Sequence, residues 1–263
     1  MKLAVNFSNP LVNLIKTKEI QVDLIKCPDW EGMLEEALPY GPVTIHFSLD
    51  AGLGNTLTAD FERIDKFIAE TDTPHVNTHL VTPRSCTPED PTELQRVNDI
   101  WHEEINSMVA HFGPDRVVLE HYPFTMATPY IAPAVDPVAF SEVIADTNCQ
   151  FLLDLAHARI TADTLGMDVK EYIRQLPVDR LTEMHITGIR PFGGVLTDHF
   201  GMEDGAWEIL EWALNEIRSG QWKKPRIVAF EYGGVGDVFV WRTDKNTIKE
   251  QVPRLYDLVH QNS

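Results

Sequence analysis

Cysteine is scarce in this chain. Cys27, Cys86 and Cys149 stand far apart with no Cys-x-x-Cys pair, which excludes a disulfide framework and leads us to expect a reduced, cytoplasmic setting. Long apolar runs are lacking too. No stretch approaches the ~18 residues of a membrane span, and the N-terminus reaches Asn6 after three apolar residues, short of a signal-peptide core. Positive charge is also in short supply. Lys and Arg number 22 against 40 Asp and Glu, a net charge of -18, which argues against a nucleic-acid backbone or an anionic lipid surface as partner.

Strand-like and helix-like segments alternate along the chain. Strands are expected at Leu3 to Phe7, Ile20 to Ile25, Pro42 to Phe47, Pro74 to Leu80, Arg116 to Glu120, Gln150 to Asp154, Leu181 to Ile186 and Arg226 to Glu231. Between them lie helical patterns at about Pro10 to Lys16, Trp30 to Leu38, Ala59 to Ala69, Pro91 to Phe112, from Asp136 onward, Val169 to Gln175, Glu203 to Arg218 and Asn246 to His260. Loops are expected at Val81 to Pro91, Tyr122 to Val135 and Thr187 to Met202. Alternation without strand doublets implies a parallel sheet, since parallel neighbours need a crossover. Eight repeats close into an α/β (βα)8 TIM barrel, expected to occupy residues 1–263 as one domain. An open doubly wound sheet would want a Gly-x-Gly-x-x-Gly turn after the first strand, and none is present.

Barrel active sites lie at the C-terminal ends of the strands. Six consecutive strands of this chain end there on a histidine or carboxylate: His46, His79, Glu120, Asp154, His185 and Glu231. His157 lies just beyond Asp154, and the loop after the seventh strand adds Asp198 and His199. Taken singly, each residue has an ordinary explanation as a hydrogen-bonded histidine or an ion-pair partner. Together they crowd carboxylates where few cations are near; Lys26, Arg84, Arg159 and Arg190 are the closest in sequence. Such carboxylates repel one another unless a metal ion neutralises them. Mixed imidazole and carboxylate donors suit iron, zinc or manganese better than magnesium or calcium. Glu120, Asp154 and Glu231 are the candidate catalytic carboxylates.

Other residues carry a structural reading. His75 shares a strand face with His79 but lies about 13 Å nearer the strand start. His121 should point away from Glu120, because strand side chains alternate. His102, His111 and His260 belong to helix surfaces, Cys27 and Cys149 to the core, and Trp101, Trp207 and Trp212 to helix packing. Cys86, in a loop, has no neighbour in sequence that would activate a thiolate.

The stretches Leu119-Glu120-His-Tyr-Pro-Phe124, Leu152-Leu153-Asp154-Leu-Ala-His157, Glu171-Tyr-Ile-Arg-Gln-Leu-Pro177 and Glu183-Met-His185-Ile-Thr-Gly188 resemble the multinuclear non-haem iron-dependent oxidative enzymes of the methanobactin-biosynthesis type. Asp198-His199, Trp207 to Leu210 and Phe230-Glu231 continue the match. More broadly, the layout is similar to the xylose-isomerase-like barrels. The resemblance implies two or three irons and dioxygen-dependent modification of cysteines in ribosomally made peptides. It further implies one metal among Glu120, Asp154, His185 and Glu231, and a second on His46 and His79 with Glu120 bridging. His157, Asp198 and His199 would build a third. The chain departs from the family pattern in that third group, with His157 in place of the usual Asn and with Asp198 and His199 adjacent rather than spaced by one residue. No segment for gripping a leader peptide is legible, so a partner protein is expected to deliver the peptide. The alternative is a metal-dependent sugar isomerase or epimerase on a small-molecule substrate, with Glu120 or Glu231 shuttling the proton.

Overall fold

The structure, a computed structural model, describes residues 1–83, 85–87, 90, 92–125 and 132–261. Strands β1 (Lys2–Asn6), β2 (Leu24–Pro28) and β3 (Val43–His46) precede a two-residue β4 (Asp50–Ala51). Then come β5 (Val76–Leu80), β6 (Val117–His121), β7 (Gln150–Asp154) and β8 (Leu181–Ile186). β9 (Gly188–Phe192) and β10 (Val195–Phe200) form a separate antiparallel pair, and β11 (Ile227–Phe230) returns to the main sheet. The crossovers carry α1 (Asn9–Lys16), α2 (Met33–Ala37), α3 (Phe61–Glu70), α4 (Glu93–Phe112), α5 (Pro137–Thr147), α6 (Leu155–Leu165), α7 (Val169–Arg174), α8 (Asp204–Arg218) and α9 (Lys245–His260). Among the described residues no helix is long and apolar enough to cross a membrane.

The main sheet runs β3-β2-β1-β11-β8-β7-β6-β5-β4, with every neighbouring pair parallel. Its two ends, β3 and β4, are halves of one strand interrupted at residues 47–49, so the row closes into an eight-strand ring. At the break, side chains replace the missing backbone ladder. The Phe47 N–H donates to Asn77 Oδ1 at 2.8 Å, and Asn77 Nδ2 donates to the Phe47 carbonyl at 3.2 Å. The Ile45 N–H donates to Thr73 Oγ1 at 2.8 Å, and the His79 N–H to the Leu49 carbonyl at 3.1 Å. This is the (βα)8 barrel that the alternation predicts.

Alternate residues of each strand face inward, and they build layers. Ala4, Leu24, Ile227 and Ala229 form a small apolar cluster of their own, apart from the large core between strands and helices. The two alanines leave room beside them for Lys26, Glu183 and His75, all buried and all polar. The candidate ligands sit one layer above, at the mouth.

Three local expectations change. The second strand is Leu24–Pro28 rather than Ile20 to Ile25: an inward-facing lysine breaks its apolar pattern, so the hydrophobic run alone places it too early. Residues 188–200 form a hairpin rather than a loop, held by the pairs Phe192–Val195, Pro191–Leu196 and Arg190–Thr197. The helix α6 appears directly after Asp154. Almost every residue of its first two turns is buried, so it has no polar stripe and no helical period to find. Arg84 and Pro91, and residues 126–131 of the expected Tyr122 to Val135 loop, lie outside the described residues.

A candidate metal centre at the barrel mouth

All nine candidate ligands converge at the C-terminal mouth. A cavity of about 330 Å³ is lined by His46, His79, Glu120, His157, Asp198, His199 and Glu231, among others. Asp154 and His185 are buried and meet the same carboxylates. Strand register brings them together: His79 pairs with Glu120 across β5 and β6, and Asp154 with His185 across β7 and β8.

His185 Nδ1 sits among three carboxylate oxygens, 3.3 Å from Glu120 Oε1, 3.4 Å from Glu231 Oε1 and 3.7 Å from Asp154 Oδ2. It has no hydrogen-bond partner among the described residues. Donor atoms that share a metal at about 2.1 Å lie roughly 3–3.5 Å from one another, so this spacing fits a coordination shell. Glu120 Oε2, also buried and without a hydrogen-bond partner among the described residues, turns the other way. It lies 3.2 Å from His79 Nε2 and 3.9 Å from His46 Nε2. One carboxylate therefore presents its two oxygens to two different histidine groups. His157 Nε2 forms the third, 3.1 Å from Asp198 Oδ2 and 3.7 Å from Asp154 Oδ2. His199 Nε2 stands 3.6 Å from the same Asp198 oxygen. A buried donor set with orphaned atoms at these spacings fits a multinuclear metal centre.

Neighbouring groups fix the ligand side chains. Asp154 Oδ1 caps α6 by accepting from the Ala156 and His157 N–H groups at 2.7 and 2.8 Å, which leaves Oδ2 for the cluster. His185 Nε2 faces Glu183 Oε1 at 2.8 Å, and Glu183 Oε2 is held in turn by His75 Nε2 at 2.8 Å. His79 Nδ1 faces Asp50 Oδ1 at 3.1 Å. A carboxylate on the far nitrogen fixes the tautomer and orientation of a ligating histidine. His157 Nδ1 donates to the His121 carbonyl at 2.9 Å. Lys26 Nζ donates to Glu231 Oε1 at 2.7 Å and Glu183 Oε1 at 3.3 Å, and also contacts His185 Nε2.

With only protons to balance its charge, the cluster titrates unusually. Burial disfavours the charged form of His79, but Glu120 and Asp50 outweigh it and hold the imidazole up at about 10. Burial likewise opposes charge on His157, yet Asp154 and Asp198 raise it to about 10. Burial pushes the Glu120 carboxyl up, while His79 and His185 draw it well below the usual carboxylate range. Asp198 falls to about 2 because His199 and His157 overcome its burial. His46 moves the other way, lowered well below a normal imidazole by burial and by Lys26. The shifts of Glu120, Glu231 and Asp198 favour their ionised forms, and those of His79, His157 and His185 favour a balancing proton where a metal would supply charge.

Sequence reasoning left Glu183, Asp50, Asn77 and Arg242 without a role and ranked Lys26 only as a nearby cation. Glu183 was legible, since it stands two residues before His185 and so shares its face. The structural residues fall as expected. His121 faces outward, donating to the Asp154 carbonyl at 3.1 Å, and burial with His157 nearby lowers it to about 4. His75 supports Glu183. Burial pushes Cys27 to about 12 and Cys149 to about 11, and it also raises Cys86. His102, His111 and His260 pair with Asp146, Asp65 and Asp23 on the surface.

The chain is similar to proteins of known fold and family. A UPF0276 protein of Acaryochloris marina is 26% identical over 196 residues, covering 70% of this chain and 69% of that protein. The 3-keto-D-glucoside 4-epimerase of E. coli superposes with a TM-score of 0.54 at 15% identity, over 94% of this chain and 97% of that one. A xylose isomerase domain protein of Alicyclobacillus acidocaldarius gives 0.55 at 14%, over 99% and 100%. At these identities the two structures establish the xylose-isomerase-like barrel and nothing about chemistry. Residues 31–221 match the family described as RiPP precursor modification enzyme MbnB/TglH/ChrH. That span covers β3 to β10 and every candidate ligand except Glu231, and the chain belongs to this family of peptide-modifying enzymes.

Proposed function

We propose that this protein, a single barrel domain over residues 1–263, is a non-haem iron oxidoreductase. In this reading it holds two or three irons and acts with dioxygen on a cysteine thiol of a ribosomally made peptide. The observation that carries the proposal is Glu120, whose two oxygens face separate histidine groups, beside the unpartnered His185 Nδ1. Glu120, Asp154, His185 and Glu231 would hold one ion, and His46 and His79 with Glu120 a second. His157, Asp198 and His199 would hold a third. When bound, iron supplies redox change and open coordination positions for substrate.

The chain's own residues do the positioning. Glu183 and Asp50 orient His185 and His79, and Lys26 holds Glu231 Oε1 in place. The cavity walls include the apolar side chains Phe7, Trp30, Met33, Val235 and Phe239, which shield the site from bulk water. A cytoplasmic setting and a peptide brought by a partner protein belong to the same reading.

The test is metal analysis of protein purified without air, followed by thiol titration and oxygen-uptake traces. Two or more irons per chain, a thiolate-to-iron(III) absorption band and thiol-dependent oxygen uptake are expected. Manganese or zinc without iron, with no band and no uptake, would overturn the oxidative reading. It would favour the isomerase alternative, in which the metal polarises a carbonyl.

A further inference from the structure

Among the described residues, Lys26 and Arg242 are the cations other than histidine that line the mouth cavity. Lys26 is saturated by Glu231 and Glu183. Arg242 is not. Its guanidinium lies over the Phe239 ring, 4.4 Å from the centroid, and 5.8 Å from that of Trp241. Phe239 in turn stacks on Trp30, with centroids 6.0 Å apart and planes 25° from parallel. Gly234 makes room for this shelf, since a Cβ there would lie 2.7 Å from Phe239. Arg242 Nε is buried without a hydrogen-bond partner, and no carboxylate ion-pairs with the guanidinium among the described residues. Glu231 and Asp198 act on it only through their field. Metal ions on those two carboxylates would cancel that field and leave the arginine facing the cavity as a positive, planar fork.

We propose that Arg242, held on the Phe239–Trp30 shelf, is the anchor for a carboxylate carried by the thiol substrate. The substrate then binds at two points, its sulfur on the metal cluster and its carboxylate on the arginine. A stacked guanidinium keeps its donors in one plane and loses little freedom when it accepts a carboxylate bidentately. The anchor selects for an acidic group close to the reacting cysteine and against neutral or cationic thiols. This inference rests on the iron–thiol reading above.

The experiment titrates iron-loaded protein with mercaptoacetate, 3-mercaptopropionate and 4-mercaptobutyrate, with 2-mercaptoethanol and cysteamine as references, following the thiolate band. At least one mercaptocarboxylate should bind roughly tenfold or more tightly than 2-mercaptoethanol. Arg242→Gln should abolish that preference while leaving the 2-mercaptoethanol affinity within about twofold. Arg242→Lys should keep part of it, because charge survives and the fork does not. A preference that persists in Arg242→Gln would show that the carboxylate chelates the metal instead, and would overturn the proposal. So would the absence of any preference in the parent protein. No band with any thiol would overturn the iron–thiol reading itself, and the two-point mode with it.

Discussion

Metal loading should expel protons from this protein, and in a number that the cluster sets. His79 and His157 titrate near 10 when protons alone balance the surrounding carboxylates, and His185 is raised well above a normal imidazole by Glu231 and Glu120 against its burial. At pH 8 His79 and His157 carry a second proton, and His185 is shifted in the same direction. A ligating imidazole must be neutral, so filling the groups that contain them should release two to three protons per chain. The sign follows directly: below pH 10 protons compete with metal, and affinity falls as pH falls. With two protons displaced, each pH unit changes affinity roughly a hundredfold, so lowering pH from 8 to 6.5 should weaken binding about a thousandfold. The assay is calorimetric titration of metal-free protein with ferrous iron under argon, in two buffers of different ionisation enthalpy. Release of fewer than one proton, or an affinity flat between pH 6 and 8, would refute the reasoning. The histidines would then be neutral before metal arrives, and their contacts with the carboxylates ordinary hydrogen bonds.

The remaining predictions concern single residues. Glu120→Gln should lower bound metal more than His157→Asn, because Glu120 faces two ligand groups and His157 one; equal metal content in Glu120→Gln and the parent protein would remove the bridging role. Glu183→Gln should weaken metal binding by roughly ten- to a hundredfold through loss of the anionic partner of His185, and unchanged affinity would make Glu183 merely a counter-ion of Lys26. Gly52→Ala should cost about 3 kcal/mol or more in a denaturant melt, since φ there is +111° and the new Cβ would lie 1.8 Å from the Val81 carbonyl oxygen. A loss below about 1 kcal/mol would show that the 47–58 segment adjusts freely.

The barrel and its mouth were legible because burial and chemistry change at the same place. An apolar run stops where its first polar side chain meets the cavity, so Glu120 and Asp154 mark both the end of the run and the site. Lys26 was hidden by the opposite circumstance. It lies inside the strand, below the mouth, and a charge in mid-strand looks like a strand end. Its ion pairs with Glu231 and Glu183 join β2 to β11 and β8, over 200 residues away in the first case, and no local pattern carries that information. Arg242 was hidden for another reason. It belongs to a short turn, Asp237–Arg242, whose place over the cavity depends on Phe239 stacking on Trp30. The hairpin at residues 188–200 has little buried surface, so alternation there has no hydrophobic face to reveal it.

The break in the third barrel strand has a mechanical meaning. Seven junctions of the ring are full backbone ladders, but the eighth has only the short β4–β5 ladder and, before the break, the clasp of the Asn77 amide, which also donates to His46 Nε2 at 3.1 Å. A metal ion taking that nitrogen would remove one of the clasp's contacts and leave it its two bonds to Phe47. Occupancy of the mouth would thereby reach the Asn77 clasp through His46. The amide hydrogens of Ile45 and Phe47, sealed only by Thr73 and Asn77 side chains, should exchange with solvent at a rate that reports whether the centre is filled. Equal exchange rates with and without metal would show that the seam is indifferent to the centre.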